Sequence, residues 1–463
     1  MDRISAWGAQ GTNSGKSTLN SESVSKAVQL RSPKKGSEDS AVSRARWFRY
    51  YAGFSTGFVE DAIELLDLRA GSNLLDPWLG AGTTSEVAIS KGYKVTGFDL
   101  NPAMLVVAKA RLLPSDARKK IAHLLNDISR KFEFGDVKNI QWWSQRSHEP
   151  LEQWLQPTSA REFRDLEQTV YLILRRYDRC LTGPIWKHAG QVAPVTAFFY
   201  ICLFRSLRHV ISRYQASNPT WIKVSKGRHR IRVSRSTLLR RLRKDVEELS
   251  ASIESETRDM PEIDPSKWRI SQASSLNLPV RSNSINAVVS SPPYCTRIDY
   301  VKATLPELAV IDFPLGGPVR SLRDQMIGTP TIFGAIKRDH KFWGNTCTQF
   351  LSKVENHPTK ASESYYLKYF LQYFWSASVS LREIDRALKK GGKCMLVIQD
   401  SYYKDIFNDL PKIYCEMAER IGWSIELKVD FPVRRTFAAI NPDAKRHRNE
   451  FGAIESVMLF EKV

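Results

Sequence analysis

Asn73-Leu74-Leu75-Asp76-Pro77-Trp78-Leu79-Gly80-Ala81-Gly82-Thr83-Thr84 is an apolar strand end that runs into a loop of small residues. Glu86 to Lys91 then has helical character, and Gly92 supplies its C-terminal cap. Tyr93-Lys94-Val95-Thr96-Gly97-Phe98-Asp99 follows as a second strand with an acid at its end. Strand, glycine loop, helix, strand, acid: this order commits the chain to an open α/β sheet and predicts a site for an adenosine-bearing cofactor. Glycines let the backbone approach a ligand, and a carboxylate after the second strand accepts from both ribose hydroxyls. A lone Gly-x-Gly is usually only a tight turn. Here Asp99 stands seventeen residues beyond Gly82, near the spacing of roughly twenty in such folds, which favours the binding reading. The third glycine of the dinucleotide fingerprint is missing, which disfavours a pyrophosphate cofactor such as NAD.

A second signal lies about two hundred residues downstream. Ile285-Asn286-Ala287-Val288-Val289 reads as a buried strand and carries Ser291-Pro292-Pro293-Tyr294 to the carboxyl edge of the sheet, where open α/β folds place their ligands. Two prolines remove two donors and fix two φ angles, so the carbonyls around them are rigid. With the Ser291 hydroxyl they form a set of acceptors beside the flat face of Tyr294. A planar base with an exocyclic amino group fits that arrangement. Alone, the tetrapeptide is equally a proline-rich turn leaving a strand.

Asp76-Pro77-Trp78-Leu79-Gly80-Ala81-Gly82-Thr83-Thr84 resembles the cofactor motif of the S-adenosylmethionine-dependent amino-methyltransferases of DNA, and Ser291-Pro292-Pro293-Tyr294 resembles their catalytic motif. Phe48-Arg49-Tyr50-Tyr51-Ala52-Gly53-Phe54-Ser55-Thr56-Gly57-Phe58-Val59 is similar to the segment that packs over the methionine end of the cofactor in that family. The resemblance covers segments 45–115 and 268–310. It implies a Rossmann-like methyltransferase fold: α/β, with a mixed seven-stranded sheet and a mostly helical insertion. Carried over by position, Phe54, Ser55, Asp76, Pro77, Trp78, Gly80, Gly82 and Thr83 belong to the cofactor site, and Asp99 is the ribose carboxylate. Ser291 and the Pro292 carbonyl, with Pro293 beside them, receive the target amino group; Tyr294 stacks on the flipped base. The family usually has an acid before the catalytic strand, reading the adenine amino group; Gln272 stands nearest that place here and implies weaker binding. Serine at the head of the catalytic motif is most typical of cytosine-N4 enzymes, and aspartate of adenine-N6 enzymes.

The implied chemistry rests on geometry. The amino nitrogen of cytosine or adenine has its lone pair delocalised into the ring and is a poor nucleophile. Hydrogen bonds to Ser291 and a backbone carbonyl draw it toward tetrahedral geometry, and a sulfonium methyl held in line is transferred directly. The reaction needs neither a metal nor a covalent intermediate. The base must leave the duplex, and Tyr294 offsets part of that cost.

Composition agrees with a polyanionic substrate: 69 Lys and Arg against 49 Asp and Glu give a net charge of +20. Between Lys223 and Lys244 stand ten basic residues and no acid, among them Arg228, Arg230, Arg232, Arg235, Arg240, Arg241 and Arg243. A solvated helix face is the ordinary meaning of such a run; its density beside Trp221 points to phosphate contact. Thr237 to Ser250 reads as a helix with Ser236 as its N-cap. The run falls in a mostly helical insertion, 119–267, between the cofactor half (45–118) and the catalytic half (268–463). A second, loop-rich insertion is expected at about 313–363. Arg434-Arg435 and Lys445-Arg446-His447-Arg448-Asn449 form a further basic cluster, either an exposed hairpin tip or a backbone contact.

Residues 1–44, rich in Ser, Gly and Lys, are expected to be disordered. Gly11-Thr12-Asn13-Ser14-Gly15-Lys16-Ser17-Thr18 mimics a phosphate loop, but Gln10 stands where glycine is required. Val195 to Leu207 is apolar but too short to span a membrane. The six cysteines show no Cys-x-x-Cys spacing and the eight histidines no ligand spacing, so reduced thiols, a cytoplasmic location and no metal are expected. Cys295 is read as a pocket wall rather than a nucleophile. The leading reading is a cytosine-N4 DNA methyltransferase, with a restriction or defence-system partner left open. The alternatives are adenine-N6 methylation, a transfer-RNA guanine methyltransferase, and a DNA-recognition subunit without turnover.

Overall fold

The computed structural model describes residues 30–34, 44–50, 53–135, 148–216, 221–225, 227–254, 264–332, 336, 338–433 and 452–463. Its strands are β1 (Asn73–Asp76), β2 (Lys94–Asp99), β3 (Trp268–Gln272), β4 (Ile285–Ser290), β5 (Leu388–Gln399), a small separate pair β6 (Ser401–Tyr403) and β7 (Ile406–Asn408), then β8 (Trp423–Val433) and β9 (Ala453–Lys462). Seven of them form one sheet in the order β3-β2-β1-β4-β5-β9-β8. The first five run parallel, and β9 is antiparallel to both its neighbours. The α/β class and the mixed seven-stranded sheet are therefore as expected from sequence. Because β2 lies on one side of β1 and β4 on the other, the strand order switches there, and the switch leaves a crevice at the carboxyl ends.

Side-chain alternation explains the two faces. Leu74, Ala287, Val289, Met395, Val397, Val457 and Leu459 enter one core, while Leu75, Val288, Cys394, Leu396, Ile398, Met458 and Phe460 enter another. The first core is covered by α1 (Thr56–Leu65), α2 (Thr83–Ser90), α3 (Pro102–Ala110), α4 (Arg118–Phe134), α5 (Pro157–Leu174), α6 (Pro194–Val210), α7 (Arg235–Glu254), α8 (Leu305–Val310) and α9 (Gly317–Gln325). On the second lie α10 (His340–Glu355), α11 (Leu367–Ala387) and α12 (Leu410–Arg420).

The helices between β2 and β3 share the first core rather than building their own: α6 packs on α3, and Phe198 meets Trp47 edge to face at 5.4 Å. Two arginines tie them to α8. Arg164 reaches Glu149 (2.9 Å), Glu167 (3.1 Å) and the Val310 carbonyl (2.8 Å), and Arg208 reaches Glu307 (2.6 Å). In α7, Leu238, Leu242, Val246, Leu249 and Ile253 bury one stripe at helical spacing. Ser234, not Ser236, caps that helix: its Oγ accepts from the Thr237 N–H at 3.3 Å and its carbonyl from Leu238 at 3.0 Å.

Three further expectations are corrected. Segment 313–363 is not loop-rich but carries α9 and α10. Trp343, Cys347, Phe350 and Val354 recur at helical intervals, a periodicity masked by Gly344, whose φ of 82° kinks α10. The first turn of α2 starts directly after Gly82, three residues earlier than Glu86. Within 1–44, Leu30 to Lys34 are placed: Arg31 pairs with Asp61 (2.7 Å) and Glu60 (3.1 Å) on α1, and the Pro33 carbonyl accepts from Ser55 at 2.8 Å. The phosphate-loop mimic at 11–18 and the basic cluster at 434–449 lie outside the described residues. Among the described residues no helix is long and apolar enough to cross a membrane.

Candidate active site at the carboxyl edge of the sheet

The loops leaving β1, β2, β3 and β4 meet around one cavity of about 920 Å³, counting its open mouth. It is lined by Asp76, Pro77, Trp78, Gly80 and Thr83 after β1, by Asp99 and Asn101 after β2, and by Ala273, Ser274 and Ser275 after β3. Ser291, Pro292, Pro293 and Tyr294 complete it from β4, and Tyr50 and Phe54 from the N-terminal side. The two motifs, 215 positions apart from Asp76 to Ser291, are joined directly: the Ser290 hydroxyl donates to Asp76 Oδ1 at 2.5 Å. Thr84, at the start of α2, donates to the Val289 carbonyl at 3.1 Å.

Asp99 is placed by its own turn. Its Oδ2 accepts from the Gly80 N–H at 2.9 Å and its Oδ1 from the Asn101 N–H at 2.8 Å. Asn101 in turn caps α3 and donates to Thr304 at 2.7 Å. Burial pushes both Asp76 and Asp99 up to about 6, against the hydrogen bonds that hold them down. Gly80 has a φ of 49°, and a Cβ there would lie 2.8 Å from the Tyr50 ring, so only glycine keeps the loop against that aromatic. The Trp78 indole N–H is buried in this wall and has no acceptor among the described residues.

Arg111 is a residue that sequence reading missed. Its guanidinium, buried in α3's C-terminal cap, pairs with Glu86 at 2.5 Å and donates to the Ala81 carbonyl (3.1 Å) and Thr83 Oγ1 (3.0 Å). An arginine thirty positions beyond the loop it supports carries no local signal. Arg111→Met strips the loop of both bonds and leaves Glu86 as a buried charge. Chemical denaturation should show a loss of about 3–5 kcal/mol, and a loss below 1 kcal/mol would contradict this account.

The catalytic-type loop is equally tied. Ser291 Oγ donates to the Val397 carbonyl at 2.9 Å, and the Pro293 carbonyl accepts from Tyr373 at 2.9 Å. No donor among the described residues meets the Pro292 carbonyl. The Tyr294 hydroxyl donates to Glu455 at 2.9 Å. Cys295 does not line the cavity; it packs in the second core, where burial pushes its thiol well up.

Three of the residues expected at a cofactor lie outside the lining. Ser55 caps α1, accepting from Phe58 at 3.1 Å. Gly82 has a φ of 75° and faces α3, where a Cβ would stand 2.6 Å from that of Ala108; its glycine serves helix packing. Gln272 is exposed and turns its amide to the Leu100 carbonyl at 2.8 Å, while Ser274 and Ser275, two and three positions on, face the cavity.

A larger cleft, about 2390 Å³ with its mouth, adjoins the cavity and shares Tyr50, Phe54, Tyr294 and Tyr300 with it. Its lining includes Lys34, Arg46, Arg49, Arg205, Arg208, Arg241 and Trp221. Of the described residues of the basic run, Arg241 alone therefore lines this cleft. It is also bonded to the buried Asp245 at 2.6 Å. Arg230, Arg235 and Arg243 pair with Glu152 (3.7 Å), Asp165 (3.5 Å) and Glu133 (3.2 Å). Arg232 and Arg240 are exposed, and the Arg228 side chain lies outside the described set. The run is thus partly an internal brace, because its helix packs between acidic neighbours. Among the described residues no cluster of three or more His, Cys, Asp or Glu could hold a metal.

No family model matches the chain. It is similar to the Type II methyltransferase M.BsoBI of Geobacillus stearothermophilus, with 25% identity over 286 residues, covering 57% of this chain and 52% of that protein. It is also similar to the Type II methyltransferase M.AvaI of Nostoc sp. (strain PCC 7120 / SAG 25.82 / UTEX 2576) and of Anabaena variabilis. Each of these is 21% identical over 411 residues, covering 82% of this chain and 79% of the relative. Against M.BsoBI the chain spans about half of the relative's length.

Proposed function

We propose that this chain is an S-adenosylmethionine-dependent DNA methyltransferase with a Rossmann-like catalytic fold, acting on the exocyclic amino group of a flipped base, with cytosine N4 the preferred target. Similarity to Type II methyltransferases supports DNA methylation, and the cofactor, the base and the residue roles are our own reading. The observation that carries it is the 2.5 Å bond from Ser290 to Asp76, which puts both motif loops on one cavity.

The cavity's residues fit the cofactor. Asp99 offers a carboxylate at the position for ribose hydroxyls, and the unsatisfied Trp78 N–H and the close-packed Gly80 turn favour a polar guest that the backbone can approach. Asp76 would face the methionine ammonium, and Ser274 and Ser275 take the place of the missing acid near adenine. Bound S-adenosylmethionine supplies an electrophilic methyl group. The chain's own work is then to bind, to orient and to accept. Ser291 turns its hydroxyl from Val397 toward the amino group, and the Pro292 carbonyl takes a second N–H. Tyr294 offers a stacking face, and the basic cleft receives the phosphates on either side of the extruded nucleotide. The neutral Ser291 head is what favours cytosine N4 over adenine N6, by resemblance to the family.

Proton linkage gives a test of the cofactor site. Asp76 and Asp99 sit at about 6 in the free protein, above an ordinary aspartate's 3.8. Each therefore contributes stability that is full below about 4 and is lost as pH rises through about 6. A bound cation favours the carboxylate of Asp76, so binding at pH 6 should release protons and at pH 8 should not. Calorimetry in two buffers of different ionisation enthalpy reads this; identical enthalpies at pH 6 would count against the assignment.

The function itself is tested by incubating the protein with tritiated S-adenosylmethionine and unmethylated genomic DNA and identifying the labelled nucleoside by mass spectrometry. N4-methyldeoxycytidine is expected. N6-methyldeoxyadenosine would keep the enzyme class and overturn the base preference, and no label in DNA would overturn the function.

A further inference from the structure

Tyr294 is tied at its far end by a residue that belongs to neither motif. Its hydroxyl donates to Glu455 Oε1 at 2.9 Å. Glu455 lies on β9, in register with Gln399 of β5 and Phe431 of β8, and lines the basic cleft beside Tyr294. Its second oxygen, Oε2, is buried with no hydrogen-bond partner among the described residues. Burial raises this carboxyl above its ordinary range, with the Tyr294 hydrogen bond and the Lys34 charge opposing.

An unpaired buried carboxylate oxygen is costly. An apolar side chain of similar size would fill the same space without that cost, so packing alone does not account for a glutamate here. What the glutamate adds is an acceptor for the Tyr294 phenol. The other end of the same residue is already held, since the Tyr294 N–H donates to the Tyr300 hydroxyl at 3.3 Å and the preceding carbonyl is bonded to Tyr373 at 2.9 Å. With the backbone and the hydroxyl both anchored, the ring has one orientation between the cavity and the cleft.

Resting on the methyltransferase reading of this site, we propose that Glu455 is a positioning residue: it locks the Tyr294 ring as a preset stacking face for the incoming base. An ordered aromatic loses less freedom when the base arrives, and a base stacked at one fixed height brings its amino group within reach of Ser291. Glu455 itself touches neither the base nor the methyl donor. Its removal therefore acts on the step that follows base flipping and leaves the cofactor alone.

The experiment uses the full chain and compares Glu455→Ala, Glu455→Gln, Tyr294→Phe and the double variant Tyr294→Phe/Glu455→Ala. Glu455→Ala should lower kcat for DNA about tenfold to a hundredfold with S-adenosylmethionine affinity unchanged by calorimetry, which also reports that the variant is folded. Glu455→Gln retains an acceptor and should keep at least half of the wild-type kcat. Tyr294→Phe, which also loses the phenol's contact with Ser291, should lower kcat at least as much as Glu455→Ala, and the double variant should be no worse than Tyr294→Phe, since all three break the bond to Glu455. A readout blind to turnover is 3-fluorotyrosine at position 294: its fluorine resonance should move toward the free-residue value in Glu455→Ala and stay in place in Glu455→Gln. Multiplying losses in the double variant, or an unmoved resonance, would overturn the positioning role. If the unaltered protein labels no DNA, the methyltransferase reading fails and this role with it. If it labels DNA and Glu455→Ala does so at the same kcat, this inference alone fails.

Discussion

Replacing Ser291 and Tyr294 together by alanine should lower methyl transfer to DNA by about a thousandfold or more, while S-adenosylmethionine binds as before. Loss of a single preorganised polar partner commonly costs about a hundredfold to a thousandfold in rate, and here a stacking face goes with it. On the proposed reading the effect should fall on kcat, because both groups would act on the flipped base while the backbone contacts of Asp76 and Asp99 are untouched. Among the described residues the Ser291 hydroxyl donates to the Val397 carbonyl at 2.9 Å and also contacts the Tyr294 hydroxyl, so its removal leaves one backbone acceptor to water. Single-turnover labelling with tritiated cofactor, alongside calorimetry of the same preparation, separates the two readouts. A variant that transfers methyl groups at a tenth of the normal rate would take the catalytic role away from this tetrapeptide.

Asp99→Ala should weaken S-adenosylmethionine binding by about a hundredfold or more. Two hydrogen bonds to a carboxylate are worth about 1.5–3 kcal/mol each, and a tenfold change in affinity corresponds to about 1.4 kcal/mol. The substitution also frees the Gly80 and Asn101 amides that Asp99 now holds at 2.9 and 2.8 Å, so part of the loss arises from a looser loop. Asp99→Asn distinguishes the parts. The amide oxygen keeps one backbone bond but offers a weaker acceptor to ribose, and an intermediate affinity is expected. Titration calorimetry above pH 7, where the wild-type carboxylate is ionised, is the appropriate measurement. Equal affinities for wild type and Asp99→Ala would remove the ribose assignment.

Both expectations depend on residues whose local chemistry is written in the chain. A glycine loop between an apolar strand and a helix, with an acid at the next strand's end, declares itself within 27 positions from Asn73 to Asp99. So does an apolar run that stops at two prolines. Residues that act across the fold are a different matter. Arg111 braces the Ala81–Thr83 turn from α3; Ser274 and Ser275 come to the cavity where Gln272 was expected; Glu455 arrives on the last strand. Neither Arg111 nor Glu455 has a neighbour in sequence that shares its role.

The basic run shows the same limit from the opposite side. Its charge is visible at once, but charge does not say which way a side chain points. In the fold Arg241 meets Asp245, Arg235 meets Asp165 and Arg243 meets Glu133, and the cleft's cations come largely from elsewhere, Lys34, Arg46, Arg49 and Arg205 among them. The loop-like 313–363 failed for a related reason: Gly344 interrupts a helical apolar stripe by one positive φ, and the helix resumes on the far side.

Periodicity, turn chemistry and the order of strand, loop and helix are local properties, governed by a few bonds and by the 2.0 and 3.6 residue repeats. From them the sequence by itself determined the α/β class and the two loops that meet at the cavity, while the mixed seven-stranded sheet followed from the family resemblance. Which residues face the cavity, which cations are already neutralised and which side chain holds Tyr294 depend on distances between segments as far apart as Tyr294 and Glu455, 161 positions in the chain. Those distances exist only once the sheet has brought the strands into register, so only the tertiary structure decided them.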